Sequence, residues 1–415
     1  MKKDNIEAAR KTAIHLLRSG YTTREVASKC QRSSAWVRKW RSRYEAEGWA
    51  GLASRSQAPK RHGQKISAAT RRAILRTRSE LEADAASGKG LKYIGARAVR
   101  TRLKQKRLKR VPSRATIERV LREAGVTRSY QSKQAETKVK YPRLAPTAPH
   151  ELIQVDIVPH FLTGGSRMPC FNAIDVVSRY PTGLAFPQRR SLDAVEFLIH
   201  TWQEIGIPRY TQVDNEGCFS GGATHPYVLG RVARLALQVG TELVFSPVYH
   251  PASNGYIERF HQEYDLHVWE DTYLANQAQV NQQAVQFFAA YRESLHHSAL
   301  NEQSPNQLHR LALPVKLDHD FSFLDKKPPL YVGRIHFMRK VNVDKTVTVL
   351  NASWPLASAL PDQGVWVTLT LAPTYATLQC FDSAPTASKQ TLLAIHPFPI
   401  AEPILPRPGF TTAIV

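Results

Sequence analysis

The order of apolar and polar positions divides the chain into stretches of different period. In the first third, apolar residues recur every three or four positions between breakers, the spacing of helices with one buried face. Ile6 to Arg18 reads as such a helix, ended by Gly20. Thr22-Thr-Arg-Glu25 is a capping box opening a short second helix that buries Val26 and Ala27. Ser33 or Ser34 starts a third helix that runs to Glu47 and stops at Gly48. A similar triple follows: Lys65 to Ala86, Ile94 to Gln105, and Arg114 to Ala124 behind the cap Ser113. Residues 126–150 hold Pro142, Pro146 and Pro149 without apolar periodicity and predict a linker.

Beyond it, short apolar runs alternate with helical ones. Leu152 to Val158, Cys170 to Ile174, Pro181 to Phe186, Tyr210 to Asn215 and Leu243 to Phe245 predict strands. Leu192 to Ile205, Tyr227 to Val239, a stretch beyond Asn254-Gly255, and Ala278 to Leu295 predict helices, so an α/β body is expected. In the third of these, Ile257, Phe260, Tyr264 and Val268 form the apolar stripe, with Glu258, His261, Gln262 and Asp265 beside it. Ser253 or Asn254 is its expected cap. After Pro314, alternating runs such as Val341 to Val349 and Val365 to Leu371 predict short strands in a small β-barrel, then a loose tail. The expected architecture is multidomain: all-α helix-turn-helix modules at 1–60 and 61–128, a linker at 129–149, an α/β core at 150–312, a barrel at 328–385 and a tail at 386–415.

Charge sharpens this division. The chain has 57 Lys and Arg against 34 Asp and Glu, and residues 1–145 hold 38 of the former and 11 of the latter. The whole positive excess therefore sits ahead of the α/β body, which points to a polyanionic partner gripped by the helical modules. In the third helix Val37 and Trp40 suit the inside, leaving Arg38, Lys39, Arg41 and Arg43 outside; Arg114, Arg119 and Arg122 hold the equivalent places in the second triple. A basic second helix after a turn is the element that enters a DNA major groove. For any one of these residues, a solvated charge is the plainer reading. The four cysteines lack metal-ligand spacing and no apolar run reaches membrane length, so an intracellular setting is expected, nucleoid-associated if bacterial.

Three acids suggest chemistry. Asp156 lies inside one apolar strand, Asp214 ends another, and Glu258 sits one turn into a helix. A buried unpaired carboxylate costs several kcal/mol, on the order of magnitude set by desolvation, and a bound cation offsets that cost. Mg²⁺ and Mn²⁺ prefer oxygen ligands, and three carboxylates can hold two such ions roughly 3.5–4 Å apart for in-line displacement at phosphorus. Asp175, Glu216 and Asp265 compete for the role, and His250 and His261 suit phosphate or water contacts. Asn254 and Arg259 lie close enough to Glu258 to position DNA.

Four motifs, Glu151-Leu-Ile-Gln-Val-Asp156, Ala173-Ile-Asp-Val-Val-Ser-Arg-Tyr180, Val213-Asp-Asn-Glu-Gly217 and Pro251-Ala-Ser-Asn-Gly-Tyr-Ile-Glu258, carry a resemblance across residues 148–310. In them the chain resembles the helix-turn-helix plus integrase-core (DDE) insertion-sequence transposases, whose ribonuclease-H-like core is shared with retroviral integrases. The resemblance implies Asp156, Asp214 and Glu258 as catalytic and metal ligands for two Mg²⁺ ions, with Mn²⁺ able to substitute and Asp156 bridging the pair. It further implies cleavage at transposon ends, strand transfer of the 3′-OH into target DNA, and a homo-oligomer, dimer or tetramer, on paired double-stranded ends; an ATPase helper is left open. Fifty-seven residues separate the two Asp and forty-three separate Asp214 from Glu258. The second gap exceeds the family's usual one, and Ser220 to Pro226 is the expected insertion. Where relatives place Lys or Arg after the Glu, this chain has Gln262 and Asp265. Two other readings share these features: a catalytically silent, transposase-derived DNA-binding regulator, and an RNA–DNA hybrid nuclease, which leaves the two helix-turn-helix modules unexplained.

Overall fold

A computed structural model of the chain describes residues 3–55, 66–88, 91–127, 139–221, 225–247, 251–295, 297–323, 328–409 and 412–414. It divides into two units, 1–68 and 69–415. In the first, α1 (Lys3–Arg18), α2 (Thr23–Lys29) and α3 (Ser34–Glu47) enclose Ala13, Val26, Ala27 and Val37 on one side and Ile14, Trp40 and Leu52 on the other. The Thr22 box forms in both directions, with the Thr22 hydroxyl accepting from the Glu25 backbone and the Thr22 N–H donating to the Glu25 carboxylate. Arg10 does not face solvent. Its guanidinium lies 3.8 Å over the Trp40 ring and donates to the Leu52 carbonyl at 2.8 Å.

The second unit begins with α4 (Ala68–Ala86), α5 (Ala96–Gln105) and α6 (Arg114–Glu123), whose Ser113 cap accepts from Thr116 N–H. This module is not separate from the body that follows, contrary to the expected boundary at 128. The Lys92 N–H donates to His267 Nε2 at 2.8 Å, and Arg97 donates to the Leu295 and His297 carbonyls. Arg100 and Lys104 both pair with Glu302. Part of the positive charge of this module is thus spent on docking. The described part of the expected linker has no helix or strand, but Tyr141 and Leu144 pack beside Trp366, and the Ala145 N–H donates to Thr386.

The body is built on β1 (Leu152–Phe161), β2 (Arg167–Asp175), β3 (Pro181–Ala185), α7 (Ser191–Glu204), β4 (Tyr210–Val213), the single turn α8 (Gly217–Ser220), α9 (Arg231–Val239), β5 (Glu242–Phe245), α10 (Gly255–Tyr264), α11 (Gln277–Arg292) and α12 (Pro305–Leu311). The α9 helix starts later than its apolar period suggests because Gly230, packed against Gly221, supplies its cap. β1 pairs antiparallel with β2 and parallel with β4, and β4 pairs parallel with β5, the mixed sheet of the expected ribonuclease-H-like plan. Strand alternation sends Ile153, Val155 and Ile157 into a core shared with α7 and α9, while Met168, Cys170 and Ile174 pack under α10 and α11.

The C-terminal region departs from expectation. It contains β6 (Val315–Leu317), β7 (Leu330–Tyr331), β8 (Gly333–Lys340), β9 (Thr346–Val349), β10 (Ala352–Pro355), β11 (Gly364–Ala372), β12 (Tyr375–Phe381), β13 (Leu392–Pro397), β14 (Ile404–Leu405) and β15 (Thr412–Ile414). No closed barrel forms among the described residues. Instead β8 pairs parallel with β5, and β11, β12 and β13 continue outward, giving one nine-stranded sheet in the order β13-β12-β11-β8-β5-β4-β1-β2-β3. Alternating strands cannot tell a closed sheet from one that docks on a neighbour's open edge, and here β5 offers that edge. At the joint, the buried His336 donates from Nε2 to Glu242 at 2.6 Å, while its Nδ1 accepts from Trp366 Nε1 at 3.1 Å. Described residues beyond Pro397 also pack on the body, with β14 pairing parallel to β7. β13 joins the sheet, and Glu402 receives both terminal nitrogens of the buried Arg234, at 2.6 and 3.0 Å.

Candidate functional site

The site grows from a repeated tripeptide. Gln-Val-Asp occurs at 154–156 in β1 and at 212–214 at the end of β4, and the register pairs Gln154 with Gln212. In each copy the Val turns into the α7–α9 core, while the Gln and Asp share the opposite face. That face meets the start of α10. Gln154 Oε1 accepts from the Ile257 N–H at 3.2 Å, and its Nε2 donates to the Ser253 carbonyl at 3.2 Å. Gln212 Nε2 lies 3.1 Å from the same carbonyl and 2.6 Å from Asn254 Oδ1. The Ser246 hydroxyl donates to Asn254 Oδ1 at 2.7 Å. Two strands therefore grip the helix start through side chains two residues ahead of each Asp. Glu258 is the next residue after Ile257, in the first turn of the helix so gripped.

This arrangement corrects the cap. Asn254 stands at the cap position but makes no capping bond; Gln154, from another element, takes the Ile257 N–H. It also corrects the role given to Asn254, whose buried amide oxygen faces Gln212 and Ser246 rather than a DNA surface. Asn254→Ala should leave duplex affinity unchanged and lower the unfolding free energy measured by urea titration, by about 1–3 kcal/mol, because it leaves buried donors without that acceptor. A loss of duplex affinity at unchanged stability would restore the DNA contact.

The electrostatics mark the acids as a cluster. Burial pushes the Asp156 carboxyl up to about 7, with the charges of Asp214, Glu216 and Glu258 adding to the rise. Burial likewise raises Asp214 to about 6, against the opposing pull of the Glu216 N–H, which donates to Asp214 Oδ1 at 2.9 Å. Glu216 itself is held by both oxygens to Arg189, at 2.8 and 2.9 Å. Burial drops His261 to about 4, so it is neutral at pH 7, with Nδ1 3.9 Å from Asp156 Oδ2. Directly across from Asp156 in β2, the fully buried Asn172 has neither end of its amide hydrogen-bonded among the described residues.

Carboxylates raised chiefly by burial, beside an orphaned amide, fit a hard divalent cation in chemistry. In geometry, no three His, Cys, Asp or Glu side chains among the described residues stand close enough to hold a metal ion. In the metal-free protein, raised carboxyl pKa values mean that the folded state binds more protons than the unfolded one between about pH 4 and 7. Stability present below that window is lost as pH rises through it. In EDTA the melting temperature should therefore fall from pH 5 to pH 8, and Asp156→Asn should flatten the fall. A wild-type melting temperature that rises over that range would refute the raised carboxyl pKa values.

The remaining expected site residues are scattered. Asp175 fixes a turn, accepting from Val177, from Ser178 and from the His150 N–H. Asp265 lies 3.1 Å from His160, and His250 lies outside the described residues. On α3, Arg38, Lys39 and Arg41 are exposed, but Arg43 turns partly inward, 4.6 Å over Trp40 and toward the Ala53 carbonyl. On α6, Arg114, Arg119 and Arg122 are exposed, the first two beside Glu118 and Glu123. Arg259 pairs with Glu263 at 2.9 Å. Sequence reading missed Gln154, Gln212, Ser246, Arg189 and Arg339. The last lies half-buried in β8 and donates to Asn215 Oδ1 at 2.9 Å, tying the C-terminal strands to the loop after Asp214.

This fold and site define an α/β domain with acids gathered where adjacent parallel strands meet a helix start, joined to helical modules. Two family models described as a homeodomain-like domain match residues 7–53 and 36–121, and one described as an integrase core domain matches residues 239–305, which include Glu258. Homeodomain-like domains followed by an integrase core domain are consistent with the helix-turn-helix plus integrase-core transposases that the motifs resemble. Among solved structures it is similar to a chain of a simian T-cell lymphotropic virus intasome in complex with PP2A regulatory subunit B56 gamma, at 11% identity over 79% of this chain and 99% of that one, TM-score 0.35. It is also similar to the HTLV-2 integrase catalytic core domain in complex with magnesium, at 11% identity over 39% and 97%, TM-score 0.30. The catalytic core domain of BIV integrase is matched at 15% identity over 39% and 93%, TM-score 0.30. Among the described residues no helix is long and apolar enough to cross a membrane.

Proposed function

We propose that the protein is a DNA transposase that binds the ends of its element, cleaves a phosphodiester there and joins the freed 3′-OH to target DNA. The observation that carries this reading is the convergence of two Gln-Val-Asp strands on the start of the Glu258 helix, with the Asp156 carboxyl raised by burial first and then by the charges of Asp214, Glu216 and Glu258. Asp156, Asp214 and Glu258 would hold Mg²⁺ or Mn²⁺. Such ions, when bound, activate water and stabilise the leaving oxygen. The protein's own part is to bury Asp156 and Asp214 on neighbouring strands and to grip the start of the helix that carries Glu258. The exposed basic faces of α3 and α6 supply end recognition, through phosphate and base contacts. Two or more copies would act on paired ends.

The absence of a closed three-ligand cluster among the described residues favours weighing a second reading, a silent DNA-binding regulator. Incubating the full chain with duplexes from the DNA flanking its own gene separates the two. The transposase nicks at the element end and yields joined 3′ products only with Mg²⁺ or Mn²⁺; the regulator protects the same sequence and cuts nothing.

A further inference from the structure

A groove of about 740 Å³ lies between the α4–α6 module and the α10–α11 face of the body. It is lined by Lys92, Arg97, Arg114, Arg179 and Arg259 against Glu263. The Glu263 carboxylate already accepts from Arg259 at 2.9 Å, so the groove is net cationic. At its floor Tyr256, 45% exposed, carries the Arg179 guanidinium 4.1 Å over its ring. Arg179 is held there by an unusual backbone: φ is +62°, and its N–H donates to the Asp175 carbonyl. One terminal nitrogen of that guanidinium is buried without a hydrogen-bond partner among the described residues.

We infer that this groove takes one unpaired nucleotide of the bound DNA, its base against the Tyr256–Arg179 pair. The inference rests on the DNA reading above and deepens it, since Arg114 of the α6 face also lines this groove. A polyanion suits five cations, and an exposed ring under a guanidinium suits a base, since every base has a flat face to stack. A base inside a duplex is already stacked on both sides, so only one that has left the helix can lie on Tyr256. Tyr256 and Glu258 point to opposite flanks of α10, because successive residues turn by about 100° on a helix of 3.6 residues per turn. They nevertheless share its first turn, about 3 Å apart along the axis at 1.5 Å per residue. Gly255, which lines the groove, offers no Cβ at the helix tip, and one built there would meet nothing within 4 Å. A strand whose scissile phosphodiester sits on the Glu258 flank can cross at that tip and place a neighbouring base on Tyr256.

The test uses the full chain in EDTA, with a short fluorescein-labelled duplex in two forms: fully paired, or with three mismatched pairs at one end. Fluorescence polarisation should show the mismatched form bound ~10-fold more tightly, within the range that base–aromatic stacking gives. Tyr256→Ala should lose this preference while keeping affinity for the paired form, which also reports that it folds; Tyr256→Phe should keep both. Wild-type protein that binds the two forms equally, or Tyr256→Ala that retains the full preference, overturns the stacking site and leaves the DNA reading intact. Wild-type protein that binds neither form overturns the DNA reading itself.

Discussion

Asp156→Asn, Asp214→Asn and Glu258→Gln are each expected to lower metal-dependent end cleavage and joining by roughly 10³-fold or more, while duplex binding stays within about twofold of wild type. The size follows from the several kcal/mol of transition-state charge stabilisation that such ions contribute, at tenfold in rate per ~1.4 kcal/mol. Each substitution is nearly isosteric and removes one ionisable oxygen, so the strand pairing at Gln154 and Gln212 stays in place. The same three variants separate chemistry from recognition, because the basic faces of α3 and α6 lie on other elements. Gel shift and single-turnover cleavage on one labelled end would be measured side by side. Cleavage at the wild-type rate in any one variant would remove that residue from the site. Parallel loss of binding would instead mean that the acids hold the DNA-contacting surface together.

How far the site could be read in the sequence depended on how local each signal is. Asp156 and Asp214 stood out because an acid in an apolar strand is anomalous on its own, with no knowledge of its neighbours. The glutamines ahead of them were equally visible as a repeated Gln-Val-Asp, but a Gln on a strand is unremarkable until one sees which helix start lies across from it. Asn254 was misassigned for the same reason: a polar residue at a helix start reads as a cap or a ligand contact. Its burial against Gln212 and Ser246 is a tertiary fact. Arg339 gave no signal whatever, since its contact with Asn215 depends on β8 pairing with β5. Helix limits in the first third followed from caps and glycines. The docking of α5 through Arg97, Arg100 and Lys104 did not, because a basic helix face looks alike whether it meets phosphate or Glu302.

A chain cut after residue 327 is expected to yield no folded α/β body, rather than the intact core that a detachable C-terminal barrel would leave behind. Strand β5 has β8 as its outer neighbour, and Phe245 stacks on Phe337 with ring centroids 5.2 Å apart. Leu243, Val244 and Phe245 are buried under residues the truncation removes, among them Ile335, Met338 and Trp366. Uncovering three such side chains costs up to about 1.5–3 kcal/mol each, a sum comparable with the ~5–15 kcal/mol that holds a typical domain together. The cut also frees the β5 edge for pairing with other chains, and it removes the Arg339 contact to Asn215 and the Glu402 contact to Arg234. The truncated protein should therefore elute as aggregate and lack a cooperative thermal transition by circular dichroism. A monodisperse fragment that melts cooperatively at the full-length temperature would show that the C-terminal strands merely rest on the body. The substitution Trp366→Ala in the full chain gives a milder version of the same test: it removes the largest side chain at the joint, and a loss of about 3–5 kcal/mol is expected.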